Sequence, residues 1–214
     1  MKRTSALGAV VLLGVLATLA CGTKTQTVNV MVPPRIDLTQ HEMIGVIEFG
    51  SDAEGELGEL ATRRFTESAR RDQGMIRMVG FGPSDAALET VDRHELDPEA
   101  FRALGQEHGV RTILVGTLTI SDIRPDFSIA SSLRSGSITA QVEATLNVEL
   151  IEADSGASIW SRSANASQKV AHVSVFGGKQ FAFDASDPER AYGGLVDTLV
   201  RQVTRDFQVS WERR

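Results

Sequence analysis

The run from Ile138 to Leu150 constrains the fold of this chain more than any other segment. Ile138, Ala140, Val142, Ala144, Leu146, Val148 and Leu150 occupy alternate positions, with Thr139, Gln141, Glu143, Thr145, Asn147 and Glu149 between them. Strand side chains alternate between faces, so the pattern describes a long antiparallel strand, buried on one side and wet on the other. Asp154-Ser155-Gly156 reads as a hairpin turn, and Ala157 to Ala166 as the partner strand. A sheet with one apolar face must bury it against another layer.

The covering layer is legible as helical periodicity. After Asp187-Pro188, Tyr192, Leu195, Val196, Leu199, Val200, Val203 and Phe207 form one stripe, long enough to lie across a sheet. Leu57, Leu60, Ala61, Phe65 and Ala69 make a second stripe, which Gly74 stops. Asp97-Pro98 supplies an N-cap and a first-turn proline for a third helix, lined by Phe101, Leu104 and Gly105 and ended by His108-Gly109. Between these, Met43–Phe49, Met75–Phe81 and Val110–Ile123 read as strands, with Ile113, Val115 and Leu118 as core positions. Ala86 to Val91 makes a helical turn or two, and Val170–Phe176 and Gln180–Phe183 flank Gly177-Gly178 as a loop or small hairpin. The order β-α-β-α-β-β-β-α is that of an α/β sandwich, a mixed sheet with helices packed on it.

The first residues carry a different message. Lys2 and Arg3 precede an uncharged stretch from Thr4 to Ala20, rich in Leu, Val, Ala and Gly. That is the charged n-region and apolar h-region of a secretory signal, slightly short for a span of about 20 apolar residues. It ends at Ala17-Thr18-Leu19-Ala20-Cys21-Gly22, which resembles the lipobox of bacterial lipoproteins. The resemblance implies cleavage before Cys21 and lipid on its sulfur. Thr18 stands where that motif usually has Leu, and Thr18 and Ala20 also suit an ordinary signal peptidase; an uncleaved anchor is the third reading. Cys21 is the sole cysteine, so it has no internal disulfide partner. By the same resemblance, Gly22 after the cysteine implies the outer membrane of a Gram-negative cell, with the domain on the periplasmic face. The expected organisation is a signal peptide at 1–20, a lipidated N-terminus and flexible tether at 21–41, and one domain at 42–210. Val28, Val30 and Val32 alternate with polar or less apolar neighbours in the tether, as a short edge strand would.

Charge and motif content narrow the function classes. The chain carries a formal charge of −6, and removal of residues 1–20 takes away Lys2 and Arg3 but no acid. Without a Lys/Arg run, nucleic acid is disfavoured as a partner, and so is polybasic adhesion to lipid. The membrane link is then the acyl group alone. His41, His94, His108 and His172 have neither ligand spacing nor a cysteine companion, so no metal is expected. Gly80-Phe81-Gly82 is too short for a dinucleotide fingerprint, and Gly177-Gly178-Lys179 lacks the remainder of a Walker A motif. The carboxylate pairs Glu54/Glu56 and Asp85/Glu89 have no accompanying nucleophile–base arrangement. No enzyme activity and no cofactor are expected. Trp160, just past the hairpin turn, reads as a core or rim aromatic.

Three stretches together resemble the envelope domain shared by CsgG, LpoB-type activators of peptidoglycan synthases and the TolB N-terminal domain. They are Ile44-Gly45-Val46-Ile47-Glu48-Phe49; then Ala103-Leu104-Gly105 with Gly109-Val110-Arg111 and Ile113-Leu114-Val115-Gly116-Thr117-Leu118; and Val148 to Trp160 with Glu152-Ala153-Asp154-Ser155-Gly156. Arg111 and Ser155 stand where Asp and Thr are common in that family. The resemblance covers most of residues 42–207. It implies a non-enzymatic role, docking onto other envelope proteins in assembly or secretion, and for some members a homo-oligomer. It supplies no catalytic residue. Two alternatives remain: an oligomeric outer-membrane pore component like CsgG, and a secreted enzyme acting on the cell wall. A pore needs lipid-facing alternation over about 9–11 residues per strand. Residues 119–137 are polar and Ser-rich, and Lys169, His172 and Lys179 interrupt residues 165–185.

Overall fold

The alternating run forms a strand from Thr139 to Glu152, fourth in the main sheet of this computed structural model. The structure describes residues 27–52, 56–126, 139–171, 173–176, 180–183 and 188–213. The expected signal segment and Cys21 lie outside them.

In chain order the strands are β1 (Asn29–Val32), β2 (Ile44–Ile47), β3 (Gly50–Ser51), β4 (Met78–Gly82), β5 (Thr112–Asp126), β6 (Thr139–Glu152), β7 (Ser158–Ala171), β8 (Val173–Phe176), β9 (Gln180–Phe183) and β10 (Ser210–Arg213). The α-helices are α1 (Leu57–Gln73), α2 (Ser84–Glu89), α3 (Pro98–His108) and α4 (Pro188–Val203). The chain forms two compact units, Pro33–Val209 and a small one built on β1 and β10.

In the larger unit the sheet order is β4-β2-β5-β6-β7, with β3 added beside β5. β4, β2 and β5 run parallel, while β5, β6 and β7 form an antiparallel meander. Parallel neighbours need a crossover, and the helical segments between β2 and β5 supply it. The expected mixed α/β sandwich is therefore the observed architecture.

Residue parity decides which layer each strand residue joins. Ile44, Val46, Leu114 and Leu118, with Val142 through Leu150 at even positions, face α1 and α4 in the main core. Ile47, Ile113, Ile151 and Ala153 face the opposite way and pack with Ala87 of α2 and Phe101 and Leu104 of α3. All the stripe residues expected on α1 and α4 are buried. At about 1.5–3 kcal/mol per large apolar side chain, these two helices are what make the meander's apolar face tenable in water. Four aromatic rings cross the main core in edge or tilted contact: Phe49 with Phe65, Phe65 with Phe207, and Phe207 with Trp160.

Helix punctuation follows the sequence signals. Asp97 Oδ1 accepts from the Ala100 N–H at 2.7 Å, and Gly109 ends α3 in the left-handed conformation at φ 65°. Gly105 admits no side chain: a Cβ there would sit 2.6 Å from the Ala153 Cβ and 2.9 Å from the Val110 carbonyl.

One expectation needs correction. The strand expected from Met75 begins at Met78, and Met75 is 99% exposed. Within the stretch read as a tether, Leu38 is buried in the main core and Ile36 packs against it. Gln73, at the end of α1, holds this segment through its amide. Its Oε1 accepts from the Leu38 N–H at 2.5 Å, and its Nε2 donates to the carbonyls of Ile36 and Phe207 at 2.5 and 3.0 Å. One amide thus occupies three backbone groups in the manner of a strand neighbour. A lone leucine among polar residues has no periodicity to announce it.

Candidate functional site

Strand β4 is an outer strand of the sheet, and its register decides which backbone groups are free. In a parallel ladder, alternate residues direct their N–H and C=O to opposite sides. Ile44 pairs with Met78 and Val46 with Gly80, and the Ile44 N–H donates to the Arg77 carbonyl at 2.9 Å. The groups of Arg77, Val79 and Phe81 are therefore engaged by β2. Those of Met78 and Gly80 point outward, where among the described residues no strand pairs with them. The Met78 carbonyl has one distant donor, Arg70 Nη2 at 3.4 Å.

Beside this edge runs a groove of about 330 Å3, walled by β4, the end of β2 and α1. Its floor is Val46, Met78, Gly80 and Gly82, and its far wall includes Thr62 and Thr66. Thr62 anchors that wall: its Oγ1 donates to the Gly58 carbonyl at 2.8 Å and accepts from the Phe49 N–H at 2.8 Å. The groove exists because two positions of β4 lack side chains. A Cβ added at Gly80 would meet nothing within 4 Å. Val79 and Phe81 point to the other face of the sheet, where Phe81 stacks on His108 with centroids 4.2 Å apart.

The groove is polar at its ends. Glu48 stands at one, its carboxyl held above the usual range first by burial and then by Glu59, Asp85 and Glu56. No cation pairs with it among the described residues. Arg63 is taken up by Glu59 and Glu189, at 3.8 and 3.3 Å. The arrangement suits an extended polypeptide: unpaired main-chain groups to extend the sheet, an apolar floor, and an unneutralised acid for a cationic side chain.

A larger cleft of about 390 Å3 lies between α1 and α4, lined by Arg64, Arg71, Asp72, Asp197 and Arg201 among others. Much of its charge is satisfied internally: Arg64 pairs with Glu67, Asp197 and, closely, Glu189, and Asp72 accepts from Gln208 at 3.0 Å.

Of the residues singled out from sequence, Cys21, Glu54, His172 and Gly177–Lys179 lie outside the described residues, and so do residues 127–138. Asp85 and Glu89 sit one turn apart on α2, with Ser84 donating to Asp85 at 3.1 Å. Among the described residues no three His, Cys, Asp or Glu side chains group as a metal site. No described helix is long and apolar enough to cross a membrane. Trp160 is a core aromatic whose indole N–H donates to Asp206 at 3.2 Å. His41 is half-buried, and burial lowers its pKa from 6.5 against the opposing pull of Asp37. Just below pH 6.5 the unfolded chain therefore binds more protons than the folded one, and stability rises with pH there. We expect His41→Gln to flatten that part of a urea-midpoint series against pH; an unchanged slope would assign it to other groups.

No protein-family model matches the chain, and no curated protein matches it. Solved structures do resemble it. The PelC dodecamer from Paraburkholderia phytofirmans shares 14% identity at a TM-score of 0.42, over 86% of this chain and 98% of that one. The lipoprotein GNA1162 from Neisseria meningitidis shares 17% identity at 0.36, over 59% and 83%. The LpoB C-terminal domain from Salmonella enterica shares 11% at 0.37, over 64% and 86%. LpoB, named above from sequence motifs, is thus among the similar structures. Likeness at this level carries no argument about what the chain does, since one fold hosts many functions.

The groove was signalled by Gly80 and Gly82. Glycines inside a strand pattern mark close approach of another backbone.

Proposed function

We propose that this chain is a lipid-anchored protein-interaction module of the outer membrane, held at the periplasmic face through Cys21, which docks other envelope proteins during assembly or secretion. The partner contributes an extended segment that adds to β4 and places a lysine or arginine beside Glu48. The role is binding, without catalysis or cofactor. The observation that carries it is the unpaired outer edge of β4 at Met78 and Gly80, beside a groove that Gly80 and Gly82 leave empty.

Two or three strand-addition hydrogen bonds at about 1 kcal/mol net each place the edge's contribution at about 30- to 160-fold in affinity. A photo-crosslinking residue at Val79, which is 37% exposed, reports the docked segment in intact cells. We expect a polypeptide adduct that Gly80→Lys reduces by about that factor, because the lysine fills the groove and closes the edge. Since a Cβ at Gly80 has open space, the variant keeps its fold. An adduct indifferent to Gly80→Lys would sink the strand-addition reading. Capture should also strengthen with pH as Glu48 loses its proton. The anchor has its own test: Cys21→Ala should release the protein from membranes on fractionation, and retention would place the anchor elsewhere.

A further inference from the structure

The small unit carries a surface that the docking groove does not use. β1 and β10 pair antiparallel, with Met31 opposite Trp211, Asn29 opposite Arg213, Val30 opposite Glu212 and Val32 opposite Ser210. Residues of matching parity share a face, so Met31 and Trp211 stand side by side with Asn29 and Arg213. They are 57% and 66% exposed. An isolated two-stranded ribbon is marginal in water, and a tryptophan beside a methionine on its open face is an unfavourable surface to leave wet. Tryptophan and arginine together are the side chains that settle at a membrane–water interface, ring at the headgroup level and cation toward phosphate.

The chain places that face near a membrane. Only seven residues separate Cys21 from Asn29. Fully extended, eight residue steps reach about 26–29 Å, less than the thickness of a bilayer with its headgroups, about 40–45 Å. If Cys21 carries lipid, the ribbon stays within that distance of the acyl chains. Locally Lys24, Arg213 and Arg214 outnumber Glu212, in a chain that is acidic as a whole.

We infer that the β1–β10 ribbon is a lipid-contacting surface that lays Trp211 and Met31 into the headgroup region of the membrane holding Cys21. This rests on the anchoring proposed above. It adds a second attachment point, which would restrict how far the domain swings on its tether.

The test separates the two readings. Because Cys21 is the sole cysteine, the processed chain beginning there can be coupled to a maleimide-headgroup lipid in phosphatidylethanolamine/phosphatidylglycerol vesicles. This imposes the tether whether or not cells acylate it. Tryptophan emission is then read with lipids brominated near the carbonyl end of the acyl chain. We expect a blue shift and quenching that both vanish in Trp211→Phe, leaving only the signal of the buried Trp160. A Trp211 signal that bromolipid does not quench overturns the inference. So does a Trp211 already shielded without vesicles in a chain that sediments as a dimer, which would assign the face to a second copy. Release of the Cys21→Ala chain from cell membranes bears on the anchor alone.

Discussion

Replacing Phe65 by alanine should lower the unfolding free energy by about 3–5 kcal/mol, the range for removing a fully buried phenylalanine. Phe65 is 0% exposed, in the middle of α1. Its ring meets Phe49 at 5.5 Å and 65°, and Phe207 at 5.8 Å and 90°. The substitution removes the transfer term, leaves a cavity between a helix and a sheet that are both held elsewhere, and breaks two edge-to-face contacts worth about 0.5–1.5 kcal/mol each beyond their area. Domains are stable by about 5–15 kcal/mol, so the loss is a large part of the whole. Urea denaturation with an unchanged slope is the measurement. A loss below about 1 kcal/mol would mean that the site collapses freely and that the row of rings is not a structural spine.

The second large effect is expected at Asp206. Its carboxylate accepts from Arg162 Nη1 at 2.9 Å on both oxygens and from the Trp160 indole N–H at 3.2 Å, and Arg35 lies at 3.9 Å. Its backbone carbonyl accepts from the N–H groups of Arg35 and Ile36 at 2.9 and 3.2 Å. Asp206 thereby ties the incoming chain, β7 and the last turn of the unit together. The carboxylate is 11% exposed and Arg162 31%. Breaking a buried pair costs about 3–5 kcal/mol, and water's access to Arg162 reduces that to about 2–4 for Asp206→Ala. Arg162 and the Trp160 N–H lose their partner, while the backbone bonds stay. Asp206→Ala and Arg162→Met should be non-additive by about 0.5–3 kcal/mol in a double-mutant cycle. Additive losses, or an Asp206→Ala chain within about 0.5 kcal/mol of the parent, would reduce the cluster to a surface contact.

The sequence was most informative where one local period sufficed. A period of two, seen as burial from Val142 to Leu150, and periods near 3.6 in α1 and α4 named the buried residues, because burial on one face imposes that spacing. Asp97-Pro98, Gly74, Gly109 and Asp154-Ser155-Gly156 marked boundaries because the backbone there has few alternatives: Gly74 and Gly156 sit at φ 77° and 70°. Leu38, Gln73 and Asp206 were not legible. Gln73 bonds residues 35 and more positions away, and no local pattern distinguishes it from any polar side chain at a helix end.

The candidate site divides the same way. The proposal for Cys21 rests on the first residues alone, since signal recognition acts on an unfolded segment and needs only local chemistry. The alternation, the helix stripes and their order determined by themselves that the chain builds a mixed sheet under helices. Which strand ends at the outside, with Met78 and Gly80 turned to solvent, was decided only when β2 settled between β4 and β5. So was the pairing of β1 with β10, which sets Met31 beside Trp211. Strand order and register are agreements between segments far apart in the chain, and their energy lies in the contacts they make rather than in either segment alone.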